Sequence, residues 1–235
     1  MAGIYKMTQR ELSALLSAAG QHGLYGFAEV LPAESKEREG CEDALLERHY
    51  LRDGGQQGKQ LEDGLGLLIA TAGKPFAYFS MEDLRDQDRI QKTVIYFRDD
   101  LIVLTEQREK SFEILGLPYL PLVIGETANL HEPYLNPESQ TIREEAVSAD
   151  SGWIDEYLKN GYGWQWEMWG EWLEDDRESC SIVVLSDGKE QLMIREKDSV
   201  RKVFKPDKTA YVNQITEVLA DLHSRAMRKM LKKEG

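Results

Sequence analysis

The chain is poor in cysteine, with Cys41 and Cys180 as its two thiols in 235 residues. Two thiols in a chain of this size are typical of a reducing cytoplasm, although the sequence is compatible with one disulfide between them. It also lacks an apolar run approaching the ~18 residues of a membrane span, and residues 1–9 contain no apolar signal-peptide core. We therefore expect a soluble cytoplasmic protein that does not bind membranes.

Positive charge is scarce as well. The chain has 29 Lys and Arg against 42 Asp and Glu, for a net charge of −13. Residues 207–235 carry six basic and four acidic groups, so residues 1–206 carry −15. Such a field repels phosphate backbones, which excludes nucleic acid as a partner and favours a protein partner. A solubilising role for the acidic residues alone remains an equal alternative.

The motifs that carry catalysis or hold cofactors are absent from the sequence. Its four histidines are far apart, and none has a histidine or cysteine at metal-ligand spacing. The segment from Asp53 to Gln60 resembles a phosphate loop only superficially, because Asp53 replaces the first glycine and Gln60 replaces the Ser or Thr that binds magnesium. No Gly-x-Ser-x-Gly motif is present. We predict no enzyme activity, no cofactor and no metal site.

The pattern of elements occurs twice, in residues 61–115 and again in residues 151–231. Each copy runs helix, strand, acidic tip, strand, tight turn, strand, helix. This duplication predicts an α+β fold with pseudo-twofold repeated units of a helix plus an antiparallel β-meander, ending in a long C-terminal helix. We assign residues 1–125 and 126–235 to the two halves and expect one continuous sheet, because each meander can cover an edge of the other.

In the first half, Thr8 and Glu11 have capping-box spacing, which predicts a helix from Thr8 to Ala19. Helical spacing predicts another over Leu61–Ala72. Three strands follow, the first two joined by the polar tip Glu82–Arg89 and the next two by a tight turn around Asp99-Asp100. The strands are Phe76–Met81, Gln91–Phe97 and Leu101–Glu106. The remaining expectations are an extended piece at Tyr25–Leu31, an exposed connection over 33–43, helices at Asp43–Tyr50 and Glu109–Leu115, an extended connector at Pro118 and Pro121, and a hinge at Glu126–Pro137.

The second half is predicted to start with a helix at Ser151–Lys159, followed by a strand at Trp164–Trp172. Further strands are expected at Cys180–Leu185, Gln191–Arg195 and Val200–Phe204, the first two joined by the hairpin signal Asp187-Gly188. Asp207 then caps a helix that extends to Leu231. Its inward-facing stripe is expected to comprise Val212, Ile215, Leu219, Leu222, Ala226 and Met230.

Two features are candidates for contact with a partner. Four tryptophans lie within nine residues, and strand alternation places Trp169 on the face opposite Trp164, Trp166 and Trp172. They either fill the core beneath the long helix or, for at least one of them, anchor an interface. The tip after the first strand is a solvated loop or a partner surface. Its candidate residues are Met81, Asp83, Leu84, Asp86, Asp88 and Ile90.

Several segments of the first half resemble EspG-type chaperones of type VII secretion. These are the capped helix Thr8–Leu12, the segment Ala44–Gly55, and Leu61–Pro75 ending in Ala-Gly-Lys-Pro, followed by paired strands at Thr93–Phe97 and Leu101–Thr105. The acidic, Trp-bearing second half looks more like Firmicutes-type counterparts. The resemblance implies a cytoplasmic chaperone that holds a WXG- or LXG-like helical substrate through the tip Glu82–Arg89 and the outward face of the C-terminal helix.

Our first hypothesis is therefore a non-catalytic chaperone or adaptor for a type VII secretion substrate. Removing the charges of Asp83, Asp86 and Asp88 together should then weaken capture. The alternative is an acidic immunity protein that neutralises a toxin, such as a basic nuclease, by blocking its active site. Both hypotheses involve a protein partner, and the sequence leaves homodimer formation open.

Overall fold

The computed structural model describes residues 3–28, 30–54, 59–86, 89–129, 136–149, 151–174 and 178–233. The first half contains, in order, β1 (Ile4–Thr8), α1 (Gln9–Ala18), α2 (Ser35–Glu47), β2 (Leu51–Asp53), β3 (Lys59–Leu61), α3 (Asp63–Gly73), β4 (Ala77–Asp83), β5 (Gln91–Arg98), β6 (Leu101–Arg108), β7 (Ser111–Leu117) and α4 (Leu120–Asn129). The second half contains β8 (Gln140–Ala146), α5 (Gly152–Lys159), β9 (Gly163–Trp172), β10 (Glu178–Ser186), β11 (Gln191–Lys197), β12 (Val200–Lys205) and α6 (Lys208–Lys233).

Ten of these strands form a single antiparallel sheet in the order β1-β7-β6-β5-β4-β9-β10-β11-β12-β8. The two halves meet where β4 pairs with β9. β2 and β3 form a separate small hairpin. The α+β architecture, the duplicated meander and the continuous sheet predicted from the sequence are therefore confirmed.

The duplication has a constant spacing. Turn residues with positive φ recur 89 positions apart, at Asp99 and Gly188 and again at Glu109 and Asp198. The helices before the two meanders, α3 and α5, begin at residues 63 and 152, which are also 89 positions apart. A residue in one meander can therefore be matched to its counterpart in the other by adding 89.

The two faces of the sheet are covered differently. On one face, which we call the α6 face, α4 and α6 pack on a core that includes Phe79, Met81, Met168 and Ile182. The opposite face is covered by α1, α2 and α3 over the first half. Over the second half it is covered by α5, which packs on Leu185, Leu192, Ile194 and Val203.

The predicted tryptophan strand is β9, and most of its apolar side chains are in the core. Trp166, Met168 and Trp172 are buried beneath α6. Gly170 lies between them, where a Cβ atom would be 2.7 Å from Cγ1 of Val218. The missing side chain thus allows α6 to approach the sheet closely.

The predicted N-terminal caps of α1 and α6 are confirmed. Thr8 and Glu11 form the capping box of α1, and Asp207 Oδ1 accepts a hydrogen bond from the Ala210 N–H at the start of α6. The stripe of α6 is broader than predicted, because Tyr211 and Val218 are also buried. Val212 and Met230 are only half-buried.

Four predictions in the first half are wrong. Residues 33–43 are mostly helical, since α2 starts at Ser35 and ends at Glu47 rather than Tyr50. The predicted helix at Glu109–Leu115 is strand β7, and the proline connector is largely helix α4. Proline is tolerated in the first turn of a helix, where its missing N–H has no intrahelical partner. Residues 24–28 form turns with one isolated bridge, Leu24–Phe27, instead of an extended piece.

Four strands had no prediction from the sequence. They are β1 and β8, the two edges of the ten-stranded sheet, and β2 and β3 of the small hairpin. The predicted hinge at Glu126–Pro137 overlaps the end of α4, and its residues 130–135 lie outside the described part of the chain.

Candidate partner-binding surface

The tip between β4 and β5 is tied to the body of the protein. The Leu84 N–H donates a hydrogen bond to the Gln165 carbonyl at 2.9 Å. Asp83 accepts from Nε of Arg85 at 2.9 Å, and the Arg85 guanidinium lies 4.8 Å from the ring centre of Trp166. The hydrogen bond to Asp83 raises the pKa of Arg85. The charge of Asp83 is therefore balanced within the tip itself.

The rest of the tip is more exposed. Asp86 is exposed and lies 3.7 Å from Nε of Arg89. Ile90 is 41% exposed, and its carbonyl accepts from the Glu109 N–H at 2.8 Å. Asp88 lies outside the described residues. Two arginines thus balance much of the negative charge that the sequence suggested for this tip.

Met81 does not belong to the exposed surface. Its side chain is 2% exposed and is part of the core beneath α6. It lies opposite Met168 in the β4–β9 pair. Met81 therefore supports the tip from the core and is not accessible to a partner.

Trp169 lies on the face opposite Trp166 and Trp172, as strand alternation predicted, and is 36% exposed. The prediction is wrong for Trp164, because an irregularity in the β9–β10 pairing sets it opposite Leu185 and so puts it on the same face as Trp169. Its Nε1 donates to Oε2 of Glu171 at 3.2 Å, and the Tyr78 hydroxyl donates to the same oxygen at 2.9 Å. Burial and the hydrogen bond to Glu171 raise the pKa of Tyr78. One carboxylate therefore fixes the orientation of two aromatic side chains at the junction of the two halves.

Two further acidic residues lie on the same face. Glu82 and Glu167 are directly opposite each other in the β4–β9 pair. Glu82 forms an ion pair with Lys92 at 3.0 Å. Glu167 is exposed, and no Lys, Arg or His in the described part of the chain forms an ion pair with it. We call Tyr78, Glu82, Glu167, Trp169 and Glu171 the central strip.

The central strip lies between two covered regions. On one side is the turn 24–30, where Tyr25 is exposed and its ring centre is 5.9 Å from that of Tyr78. On the other side is α5. The strands that carry these two borders, β4 with Tyr78 and β10 with Leu185, are two strand spacings apart, or about 10 Å at ~4.8 Å each, which is close to the width of an α-helix. The strip can therefore accept a helix lying on the sheet.

A groove connects the central strip to the tip. It has a volume of about 370 Å³ and is lined by Glu82, Ile90 and Lys92, together with apolar residues of the turn 24–30. Ile90 and Trp169 therefore border one continuous face. Met81 and Asp83 are on strand positions that alternate with Glu82, so they belong to the α6 face.

The outward face of α6 does not join this surface. The helix lies on the α6 face, and several of its charges are paired with the sheet beneath it. Arg225 pairs with Glu178 at 2.5 Å, and Glu217 pairs with Arg195 at 2.6 Å. The structure thus separates the C-terminal helix from Trp169, although the sequence analysis had placed both at a partner surface.

The sequence analysis missed three members of the strip. Glu167 and Glu171 occupy polar positions of β9 in the sequence. The apolar residues Trp166 and Trp172 on the other face gave the stronger signal. Tyr78 could be found only through the pairing of β4 with β9, since Tyr78 and Glu171 are 93 positions apart. Residues 82 and 167 are likewise neighbours only in the folded sheet.

Metal binding and membrane insertion are two other functions that the described residues bear on. No three His, Cys, Asp or Glu side chains in this part of the chain converge to hold a metal ion. None of its helices is long and apolar enough to cross a membrane.

Comparison with known proteins gives a fold-level match. No protein-family model and no curated protein sequence matches the chain. Among solved structures, the chain is similar to the type VII secretion system chaperone EspG5 of Mycobacterium tuberculosis, determined in complex with a PE25–PPE41 dimer. The TM-score is 0.66 at 7% sequence identity, and the match covers 94% of this chain and 96% of that chain. The two proteins therefore share a fold over nearly their whole length.

Proposed function

We propose that this protein is a non-catalytic cytoplasmic chaperone or adaptor that binds a helical substrate of a type VII (ESX-like) secretion system before export. The observation that carries the proposal is the central strip, an acidic and aromatic surface between two helical layers of an EspG-like fold. The neighbouring structure contains a chaperone bound to a PE–PPE dimer, which supports a protein partner here. A relationship to the Firmicutes-type counterparts is part of the same proposal.

The chemistry of the strip defines the substrate we expect. Trp169 offers a flat apolar surface with a fixed N–H, which suits an interface anchor. Glu167 and Glu171 supply negative charge on either side of it along β9. A helix with basic residues flanking an apolar one would match this pattern, because complementary charge increases encounter rate and selectivity. Leu84, Asp86, Asp88 and Ile90 at the tip extend the proposed surface.

The test is capture of the substrate from lysate of the native host by tagged protein, with identification by mass spectrometry. We expect a WXG- or LXG-like helical protein to be enriched by the unaltered chain and reduced at least tenfold by Trp169→Ala combined with Glu167→Gln. Tyr119→Ala is the control, because Tyr119 is a 55% exposed aromatic residue between β7 and α4, away from the strip. Thermal melting should be nearly the same for all variants.

A second variant separates the tip from the strip. Asp86→Asn combined with Asp88→Asn removes tip charge without disturbing the Asp83–Arg85 pair. Weaker capture by this variant would place the tip in the interface, and unchanged capture would remove the tip from it. Equal capture by the Trp169 variant and the Tyr119 control would refute the central strip. A captured toxin that the protein inhibits one-to-one would instead support the immunity-protein alternative.

A further inference from the structure

The two edges of the ten-stranded sheet occupy equivalent places in the two halves. On one edge, Lys6 of β1 pairs in register with Glu113 of β7. On the other edge, Glu144 of β8 pairs with Lys202 of β12. Glu113 and Lys202 are 89 positions apart, which is the spacing of the duplication. Lys6 and Glu144 are therefore counterparts.

The edge at β1 is closed by side chains. The Lys6 N–H donates to the Tyr50 hydroxyl at 2.9 Å, and the Lys6 carbonyl accepts from Arg48 Nη1 at 2.9 Å. Arg48 and Tyr50 belong to the long segment that separates β1 from α3. In the second half only residues 147–151 separate β8 from α5, which is too short for a similar cap.

The edge at β8 is open in the described structure. The Val147 N–H donates to the Ser199 carbonyl at 2.9 Å, so residue 147 directs its backbone groups toward the β12 side. Successive residues of a strand alternate in this direction, so residues 143 and 145 face β12 while Glu144 faces away. Apart from strand pairing, in which Glu144 faces away from β12, no described residue hydrogen-bonds the backbone N–H or C=O of Glu144. Six of the seven residues of β8 are exposed.

Charges often protect an exposed edge strand, but here the carboxylates are already neutralised by their own chain. Glu144 forms an ion pair with Lys202 at 3.3 Å. Glu145 pairs with Arg201 at 3.1 Å and accepts a hydrogen bond from Trp153 Nε1 at 3.0 Å. The acidic side chains therefore leave the backbone of Glu144 available as a template for a further strand.

We propose that two copies of the chain pair through β8 in an antiparallel arrangement with Glu144 opposite its own counterpart. In this register the Glu144 residues of the two copies form a hydrogen-bonded pair, in which the N–H of each donates to the C=O of the other across the twofold axis. It also sets Arg143 of each copy opposite Glu145 of the other. These are non-hydrogen-bonded pairs, in which the side chains are closest, at a Cα separation of about 4.5 Å.

Self-complementarity is the reason to choose a second copy as the occupant. Opposite charges directly across an antiparallel pair are stabilising, and like charges are destabilising. The proposed register sets the two Glu144 side chains opposite each other, but each is already paired with Lys202 of its own chain. A dyad at Arg143 would set that arginine against itself and would also remove both Arg143–Glu145 pairs. One strand pairing buries little surface, so the dimer is expected to be weak and concentration-dependent. The proposal does not depend on the function of the central strip.

The test is sedimentation velocity of the full chain from low micromolar to several hundred micromolar concentration. We expect a reversible monomer–dimer equilibrium for the unaltered protein. Glu144→Pro removes the outward N–H that the second copy would bind, and proline is tolerated on the open side of an edge strand. Loss of the two dyad hydrogen bonds should weaken the dimer about tenfold or more.

A charge variant tests the register. Arg143→Glu would create two repulsive pairs across the dyad and should also weaken the dimer. Lys189→Glu is the control, because it makes the same change in charge at an exposed turn away from β8. If Glu144→Pro does not fold, as judged by thermal melting, the Arg143 and Lys189 variants decide the question. A monomer at every concentration, or a dimer unaffected by these β8 variants, would overturn the proposal.

Discussion

The two halves of the molecule share a meander but not its surroundings. At matched positions, Met81 of β4 fills the space under α6, whereas its counterpart in β9 is Gly170. Glu62 caps α3, whereas its counterpart Ser151 makes no side-chain cap to α5. The difference teaches that turn positions and strand pairing are enough to repeat the backbone. The contacts that close, cap or cover each half are set separately by the flanking sequence.

The largest expected effect comes from filling the space at Gly170. In Gly170→Ala the new Cβ would be 2.7 Å from Val218 of α6, which is too close without a shift of the helix. Overpacking of this kind typically costs about 1–3 kcal/mol of unfolding free energy. For a chain of this size, each kcal/mol corresponds to a fall in Tm of roughly 2–4 °C.

Gly163→Ala is the matched control in the same strand. A Cβ there would meet nothing within 4 Å. The substitution should be neutral or should stabilise by up to about 1 kcal/mol, because alanine restricts the unfolded chain. If chemical denaturation gave the two variants equal stability, the close approach of α6 to β9 would not be a specific feature of the second half.

The parts of the fold that were predictable from sequence have strong local signals. Strands β4 to β6 and β10 to β12 contain short apolar runs between polar turns, β9 alternates apolar and polar residues, and Asp187-Gly188 marks a hairpin. β8 carries no such signal because it is exposed on both faces, with Ile142 as its one large apolar residue. The first part of α2 was predicted as an exposed connection because few apolar residues anchor it, although Cys41 is buried there and Leu45 follows in the predicted helix.

The candidate surface was likewise predictable from the sequence only where the signal is local. Trp169 could be placed on the correct face from alternation within β9 alone. Its contact with Glu171 and the hydrogen bond from Tyr78 to that carboxylate could not, because they depend on β4 pairing with β9. The burial of Met81 likewise follows from α6, a helix more than a hundred positions away. Long-range pairing therefore decides which predicted site residues share a surface.

An intermediate effect is expected at the helix caps. Glu62 accepts a hydrogen bond from the Leu65 N–H at 2.8 Å, so Glu62→Ala should cost about 1 kcal/mol of unfolding free energy. Ser151→Ala should change stability by only a few tenths of a kcal/mol, because Ser151 makes no cap hydrogen bond. Equal losses in urea denaturation would contradict the difference between the two helix starts.

The Glu62 cap should also depend on pH. Backbone hydrogen bonds from Leu65 and Gly64, and then the Tyr5 hydroxyl, lower the pKa of Glu62 below its ordinary value of 4.5. A lowered pKa in the folded state means that the contribution is present above pH 4.5 and is lost as the pH falls through the folded-state pKa. The stability difference between Glu62→Ala and the unaltered protein should therefore shrink in acid.

The smallest effect is expected at the hydrogen bond that links Tyr5 of β1 to Glu62 at the start of α3. The Tyr5 hydroxyl donates to Oε2 of Glu62 at 2.7 Å, and burial followed by this hydrogen bond raises the pKa of Tyr5 to about 12. Near neutral pH, Tyr5→Phe should cost about 0.5 kcal/mol, less than Glu62→Ala, which removes the same hydrogen bond together with the helix cap.

The pKa of Tyr5 is raised in the folded state, so its contribution is full below the unfolded value of 10.0 and is lost as the pH rises toward 12. The counterpart edge is tied differently, through Trp153 and Glu145, and neither group gains or loses a proton over that range. The stability difference between Tyr5→Phe and the unaltered protein, measured by urea denaturation at increasing pH, should therefore fall above pH 10. A Trp153→Phe variant should keep a constant difference over the same range, because the indole–carboxylate bond it removes does not titrate there. If both differences changed alike, the alkaline loss would be a general effect of the net charge of −13 rather than a property of the first edge.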